Sequence, residues 1–162
     1  MLALTKEVLK RKSSKFSISK KARIEGRVTI IGSINVGENT TICNGTYIIG
    51  PVFIGDNAII GPNSFIRPFT IIGNDTIIGP SAEIKNVLLG NSSTINHYSC
   101  IGDSIIGRNV SFGSCVDTIV RRFDNKTIKI KSLNGKLIDT GLTKFGCIIG
   151  NNVDIGSHVV IL

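Results

Sequence analysis

Tryptophan is missing from this 162-residue chain, methionine occurs once, and the aromatic residues amount to two Tyr and seven Phe. That excludes an interior assembled from large side chains. Eighteen glycines and a dense scatter of Ile point instead to an interior lined by β-branched residues, which favours strands. No C-x-x-C pair or regular spacing relates Cys43, Cys100, Cys115 and Cys147. This usage fits reduced thiols in a cytoplasmic protein rather than a disulfide framework or a zinc site. No segment reaches the ~18 apolar residues that a membrane span needs, and the N-terminus lacks the apolar core of an export signal. Neither membrane insertion nor export is indicated.

Acidic residues are also scarce, 11 against 19 Lys and Arg, for a net charge of +8. The imbalance is local. Residues 1–27 hold nine basic side chains against Glu7 and Glu25, so the rest of the chain is nearly neutral. Residues 1–16 read as a basic helix or linker, either amphipathic with a solvated polar face or resting on an anionic surface. No aromatic residues interleave these charges, so a nucleic-acid partner is not indicated.

What the chain does have is a period. An aliphatic residue returns at every sixth position through Ile18, Ile24, Ile30, Val36, Ile42, Ile48, Ile54, Ile60, Ile66, Ile72, Ile78 and Ile84. The fifth place of each hexad is mostly small or β-branched, as in Thr40, Thr46, Ala58, Ser64, Thr70 and Ala82. Six does not fit 3.6 residues per turn, but it fits short strands separated by tight turns, with the aliphatic and the small residue facing inward. Three such sides close a coil of 18 residues, and coils stack at the strand spacing of ~4.8 Å. The spacing predicts an all-β solenoid over 17–162.

The interruptions are where chemistry is to be sought, since a repeat alone is a scaffold. One residue is lost between Ile84 and Leu89 and another after Ile101, and an excursion leaves the repeat from Thr118 to Cys147. The excursion contains two strand-like runs around Asn134-Gly135 and reads as a hairpin. Arg67 and Lys85 hold equivalent places 18 residues apart, so they stack on adjacent coils; the repulsion is either relieved by solvent or Glu83, or serves to hold a dianion such as phosphate. His97 falls at a turn position and projects outward.

The hexads resemble those of the left-handed parallel β-helix acyltransferases, and the resemblance implies the left hand. More specifically, Ile66-Arg67-Pro68, Glu83-Ile84-Lys85-Asn86, His97 and Ile101-Gly102-Asp103-Ser104 are similar to the acetyltransferase half of a bifunctional family. Its members are glucosamine-1-phosphate acetyltransferase and N-acetylglucosamine-1-phosphate uridylyltransferase enzymes, with sugar-1-phosphate nucleotidylyltransferase relatives. Thr140-Gly141 to Ile149-Gly150, with Lys144-Phe145, looks like the same family. The resemblance implies that His97 is the general base that takes a proton as the sugar amine attacks acetyl-CoA. It implies that Arg67 and Lys85 bind the sugar phosphate and that Lys144 reaches the site from the loop. Glu83, Cys100 and Ser111 then fall on the sugar-binding surface, with Ser114 and Ser157 along the CoA groove. A homotrimer is implied, and no metal is required by the β-helix. In such a trimer Arg121, Arg122 and Lys144 serve a site shared between chains; the competing expectation is a solvated basic hairpin.

The departures matter as well. Cys100 stands where the family often has Tyr, Ser111 and Val120 where it has Asn, and Ser114-Cys115-Val116 where it has an Ala-Gly-Thr-like run. An aliphatic side chain cannot make the hydrogen bonds of an amide. The fused nucleotidyltransferase domain is not in the sequence, residues 2–12 resemble the helix that follows it, and the repeat stops at Leu162 where the family continues. Two expectations stand: an N-acetyltransferase acting on an amino-sugar 1-phosphate, or a degenerate β-helix that binds a sugar nucleotide or pairs with a separate nucleotidyltransferase. A γ-class carbonic anhydrase needs three histidine ligands, and the chain has only His97 and His158.

Overall fold

In the computed structural model, the described residues are Lys6, Glu7, Leu9, 17–132 and 134–162. Most of the expected N-terminal helix lies outside them, although Lys6, Glu7 and Leu9 are helical and Leu9 is buried. The remainder is a left-handed parallel β-helix with three faces of seven strands each. The first face runs Ser17–Ile18, Ile34–Val36, Val52–Ile54, Thr70–Ile72, Leu88–Leu89, Ile105–Ile106 and Ile148–Ile149. The second runs from Arg23–Ile24 to Val153–Ile155 and the third from Thr29–Ile31 to Val160–Ile161. Every pairing within these faces is parallel, and the one antiparallel pair among the described residues is the hairpin Lys129–Lys131 with Leu137–Asp139.

Inward-facing aliphatics form three columns. On the first face Ile54 meets Ile72, then Leu89, Ile106 and Ile149, in steps of 18, 17, 17 and 43 residues. Ile42, Ile48, Ile54, Ile60, Ile66, Ile72, Ile78 and Ile84 are fully buried. Burying each stabilises the coil by roughly 1.5–3 kcal/mol relative to leaving it exposed. The step of 43 shows that the hairpin leaves the prism and the next coil resumes in register, as the sequence pattern predicts.

The corners need a left-handed backbone, and short polar side chains supply it. Asn39, Asn57, Asp75, Asn109 and Asn152 occupy one corner with φ between 54° and 58°. Asn and Asp tolerate this region because their side chains bond locally. Here they also bond to each other along the axis: Asn39 Nδ2 donates to Asn57 Oδ1 at 3.2 Å, Asn57 Nδ2 to Asp75 Oδ1 at 3.0 Å, and Asn109 Nδ2 to Asn152 Oδ1 at 2.9 Å.

Candidate functional site

Arg67 and Lys85 stand on adjacent coils of the third face. Ile66 pairs with Ile84, and the Arg67 N–H donates to the Ile84 carbonyl at 2.8 Å. The two cations are separated by taking different carboxylates. Arg67 Nη1 lies 2.7 Å from Glu83 Oε1, while Lys85 Nζ lies 3.8 Å from Asp103 Oδ2 on the next coil. The Arg67 guanidinium also rests 5.4 Å from the centre of the Phe65 ring. Glu83 lies beside Arg67, and Cys100 is opposite Glu83 in the ladder. Burial, followed by the Glu83 and Asp117 charges, pushes the Cys100 thiol above its ordinary pKa.

Asp103 and its neighbour Asn86 belong to the quoted family-like strings but were assigned no role there, and they form the floor of the corner beyond these cations. Both lost residues fall at this corner, between the third face and the first. Asn86 and Asp103 turn it with φ of 51° and 48°. Asn86 Nδ2 donates to Asp103 Oδ1 at 2.5 Å. Asp103 Oδ2 and Asn86 Oδ1 are buried without a hydrogen-bond partner. Asn86 and Asp103 line a cavity of about 540 Å³ together with Lys6, Arg67, Lys85 and Lys144. Lys144 therefore meets Lys85 within one chain. Lys6 arrives from the N-terminal segment and sits 5.6 Å from the centre of the Phe69 ring, which also lines the cavity.

His97 lies elsewhere, at the corner between the second and third faces. Its side chain is exposed, with Nδ1 3.3 Å from Ser114 Oγ. The next coil continues the column: Ser114 N–H donates to Ser157 Oγ at 3.1 Å, and His158 N–H to the Ser114 carbonyl at 2.8 Å. His97, Ser114 and Ser157 thus form one stack, and Tyr98 meets the imidazole edge-on at 5.3 Å. With Nδ1 against a hydroxyl, Nε2 is the nitrogen open to a substrate. Ser111 is not in this stack. It faces outward on the second face between Thr94 and Asp154.

The third face joins these two corners. Lys85 is opposite Gly102, five residues from His97, so at ~3.3 Å per residue their backbones lie at most about 17 Å apart along the face. Arg121 and Arg122 are not in the cavity with Lys144. They line a separate one of about 1080 Å³ between the hairpin and the last coils, with Ile128, Ile130 and Phe145. Arg122 is paired with Asp124, holding that carboxyl down to about 2. No helix among the described residues is long and apolar enough to cross a membrane.

Comparison with known proteins bears on this arrangement. The family model described as the GMPPB C-terminal domain matches residues 48–162. A bifunctional sugar-1-phosphate nucleotidylyltransferase/acetyltransferase from Sulfurisphaera tokodaii is 42% identical over 139 residues, covering 86% of this chain and 34% of the relative. The uncharacterized acetyltransferase YaiX of Escherichia coli O6:K15:H31 is 37% identical over 131 residues, 81% of this chain and 56% of YaiX. A bifunctional protein GlmU from Methanococcus aeolicus is 42% identical over 77 residues, 48% of this chain and 18% of GlmU. The chain thus spans about a third of the Sulfurisphaera protein's length and about half of YaiX.

Proposed function

Since the chain belongs to the family of the GMPPB C-terminal domain, with relatives named as sugar-1-phosphate nucleotidylyltransferase/acetyltransferase and GlmU, we propose that it transfers an acetyl group from acetyl-CoA to the amine of an amino-sugar 1-phosphate. The observation that carries this reading is the third face, which sets a solvent-facing imidazole at one end and two stacked cations at the other. The phosphate sits against Arg67 and Lys85, and Lys144 adds a third positive charge from the loop. The sugar lies across the face over Glu83 and Cys100. The amine nitrogen attacks the thioester carbonyl carbon, His97 takes its proton through Nε2, and the carbon–sulfur bond breaks with that proton passed to the departing sulfur, releasing the CoA thiol. Ser114 orients the imidazole through Nδ1, and Ser114 and Ser157 border the path of the CoA arm. Three copies of the chain assemble around the sites.

A second reading is favoured by one observation: His97 does not line the cavity that gathers the cations. In that reading the chain binds a sugar nucleotide, or pairs with a separate nucleotidyltransferase, without catalysis. A thiol-release assay with acetyl-CoA and glucosamine 1-phosphate separates the two. The first reading requires turnover that is lost in His97→Ala while sugar-phosphate binding persists. Equal release by both proteins at background level discards it.

A further inference from the structure

A sugar 1-phosphate placed with its amine at His97 and its phosphate at Arg67 and Lys85 occupies the third face. The cavity beyond it has none of His97, Glu83 or Cys100 in its lining. At about 540 Å³ it is of the size that holds an organic ligand rather than a lone ion. Two residues of its lining, Asp103 and Asn86, hold buried acceptors, Oδ2 and Oδ1, that receive no hydrogen bond, the Lys85 ammonium standing 3.8 Å from the first. Asp103 and Asn86 are 5% and 4% exposed. Buried acceptors of this kind are satisfied in native complexes by donors. The dianion of a sugar phosphate cannot be that donor, because its oxygens only accept.

Four cationic side chains, Lys6, Arg67, Lys85 and Lys144, surround the same space; Asp103 is the one carboxylate in its lining, and Glu83 outside it pairs with Arg67. Pro68, Phe69 and Leu142 provide an apolar wall. The ligand must therefore join more than one phosphate, a pair of neighbouring hydroxyl donors and a flat or apolar group. We propose that this corner binds a nucleoside diphosphate, its ribose hydroxyls donating to Asp103 Oδ2 and Asn86 Oδ1 and its phosphates lying among the four cations. A carboxylate receiving ribose hydroxyls is a recurrent solution in nucleotide sites of other folds. The proposal rests on the phosphate position in the preceding reading and narrows its substrate: the sugar phosphate that crosses the third face continues round the corner, as a nucleoside-diphosphate-linked amino sugar.

The test is calorimetric binding to the full chain, with uridine, guanosine, adenosine and cytidine diphosphates, inorganic pyrophosphate, and the 2′,3′-dideoxy form of the tightest nucleotide. The best ribonucleoside diphosphate is expected to bind at least tenfold tighter than pyrophosphate, and removing its hydroxyls should remove most of that advantage. Asp103→Asn should move the two probes in opposite directions. Pyrophosphate tightens when a negative charge is removed, and the ribonucleotide weakens at least fivefold when the acceptor for its hydroxyls is lost. Lys144→Ala, on the exposed loop, should weaken both. Equal affinity for nucleotide, dideoxynucleotide and pyrophosphate overturns the proposal on the wild-type protein alone, leaving solvent as the partner of the two acceptors. So does an Asp103→Asn change of the same sign for both probes. None of these readouts involves acetyl transfer. A protein that releases thiol but shows no hydroxyl-dependent binding keeps the catalytic reading and loses this one, and the converse result does the opposite.

Discussion

Two buried threonines, identical in type and burial, should respond oppositely to the same substitution. The Thr40 hydroxyl donates to the Gly55 carbonyl at 2.7 Å and accepts from the Ala58 N–H at 3.0 Å, tying its coil to the next one twice. Thr40→Val keeps the shape and strands both backbone groups. At about 1–3 kcal/mol for each unsatisfied buried group, the loss is roughly 2–6 kcal/mol. Thr70 is equally buried, but its hydroxyl has no partner. It lies opposite Val52 and one place before the Ile71–Leu88 pair, which puts Val87 on its other side. Thr70→Val therefore extends a valine column and removes an unsatisfied polar atom, a gain of about 1 kcal/mol or more. Guanidinium unfolding followed by circular dichroism, with unchanged slopes, reads both midpoints. The Thr40 variant should unfold at lower denaturant and the Thr70 variant at equal or higher denaturant. Equal destabilisation of the two would refute the hydrogen-bond accounting and leave hydroxyl packing as the cause.

Three further outcomes are expected. A Cβ at Gly79 would come within 2.8 Å of the His97 backbone nitrogen and 2.9 Å of the Asn96 carbonyl carbon, whereas one at Gly150 meets nothing within 4 Å. Gly79→Ala should thus lower acetyl transfer at least tenfold and reduce the melting temperature, with Gly150→Ala leaving both unchanged. Because the Cys100 thiol is pushed up by burial and then by Glu83 and Asp117, it carries less thiolate at pH 8 than free cysteine. Iodoacetamide should modify it more slowly than glutathione, and Glu83→Gln should raise the rate. Lys85→Ala should destabilise more than Arg67→Ala in thermal melts, because the carboxylate left behind is 7% exposed at Asp103 and 37% at Glu83. The exposed pair is worth at most about 1 kcal/mol.

The β-helix was legible because its core is written in one residue type at one interval. Ile42 through Ile84 could be assigned to columns by counting, and the register follows that count. Arg67 above Lys85 was readable for the same reason, since no residue is lost between them. The count fails where the interval changes. Asn86 and Asp103 share a corner at a step of 17, and recognising them required applying the shortened step to the residues flanking each loss. The stack of His97, Ser114 and Ser157 needs steps of 17 and 43 together, so its geometry came only with the structure. Lys6 lies outside the repeat, and no periodicity could have brought it to Phe69.

The asparagine corner has a consequence for how such a molecule changes size. Along a neighbouring column the Glu38 N–H donates to Asp56 Oδ1 and the Asp56 N–H to Asn74 Oδ1. Each rung offers its successor the same handle. Excising 38–55 would put Asp56 in the place of Glu38, Asn57 in the place of Asn39 and Ile72 in the place of Ile54 against Val36, much as a link is taken from a watch strap. Length is thereby uncoupled from chemistry. Coils on the N-terminal side can be added or withdrawn as a ruler is lengthened or cut, while the workbench formed by residues 65–118 stays where it is.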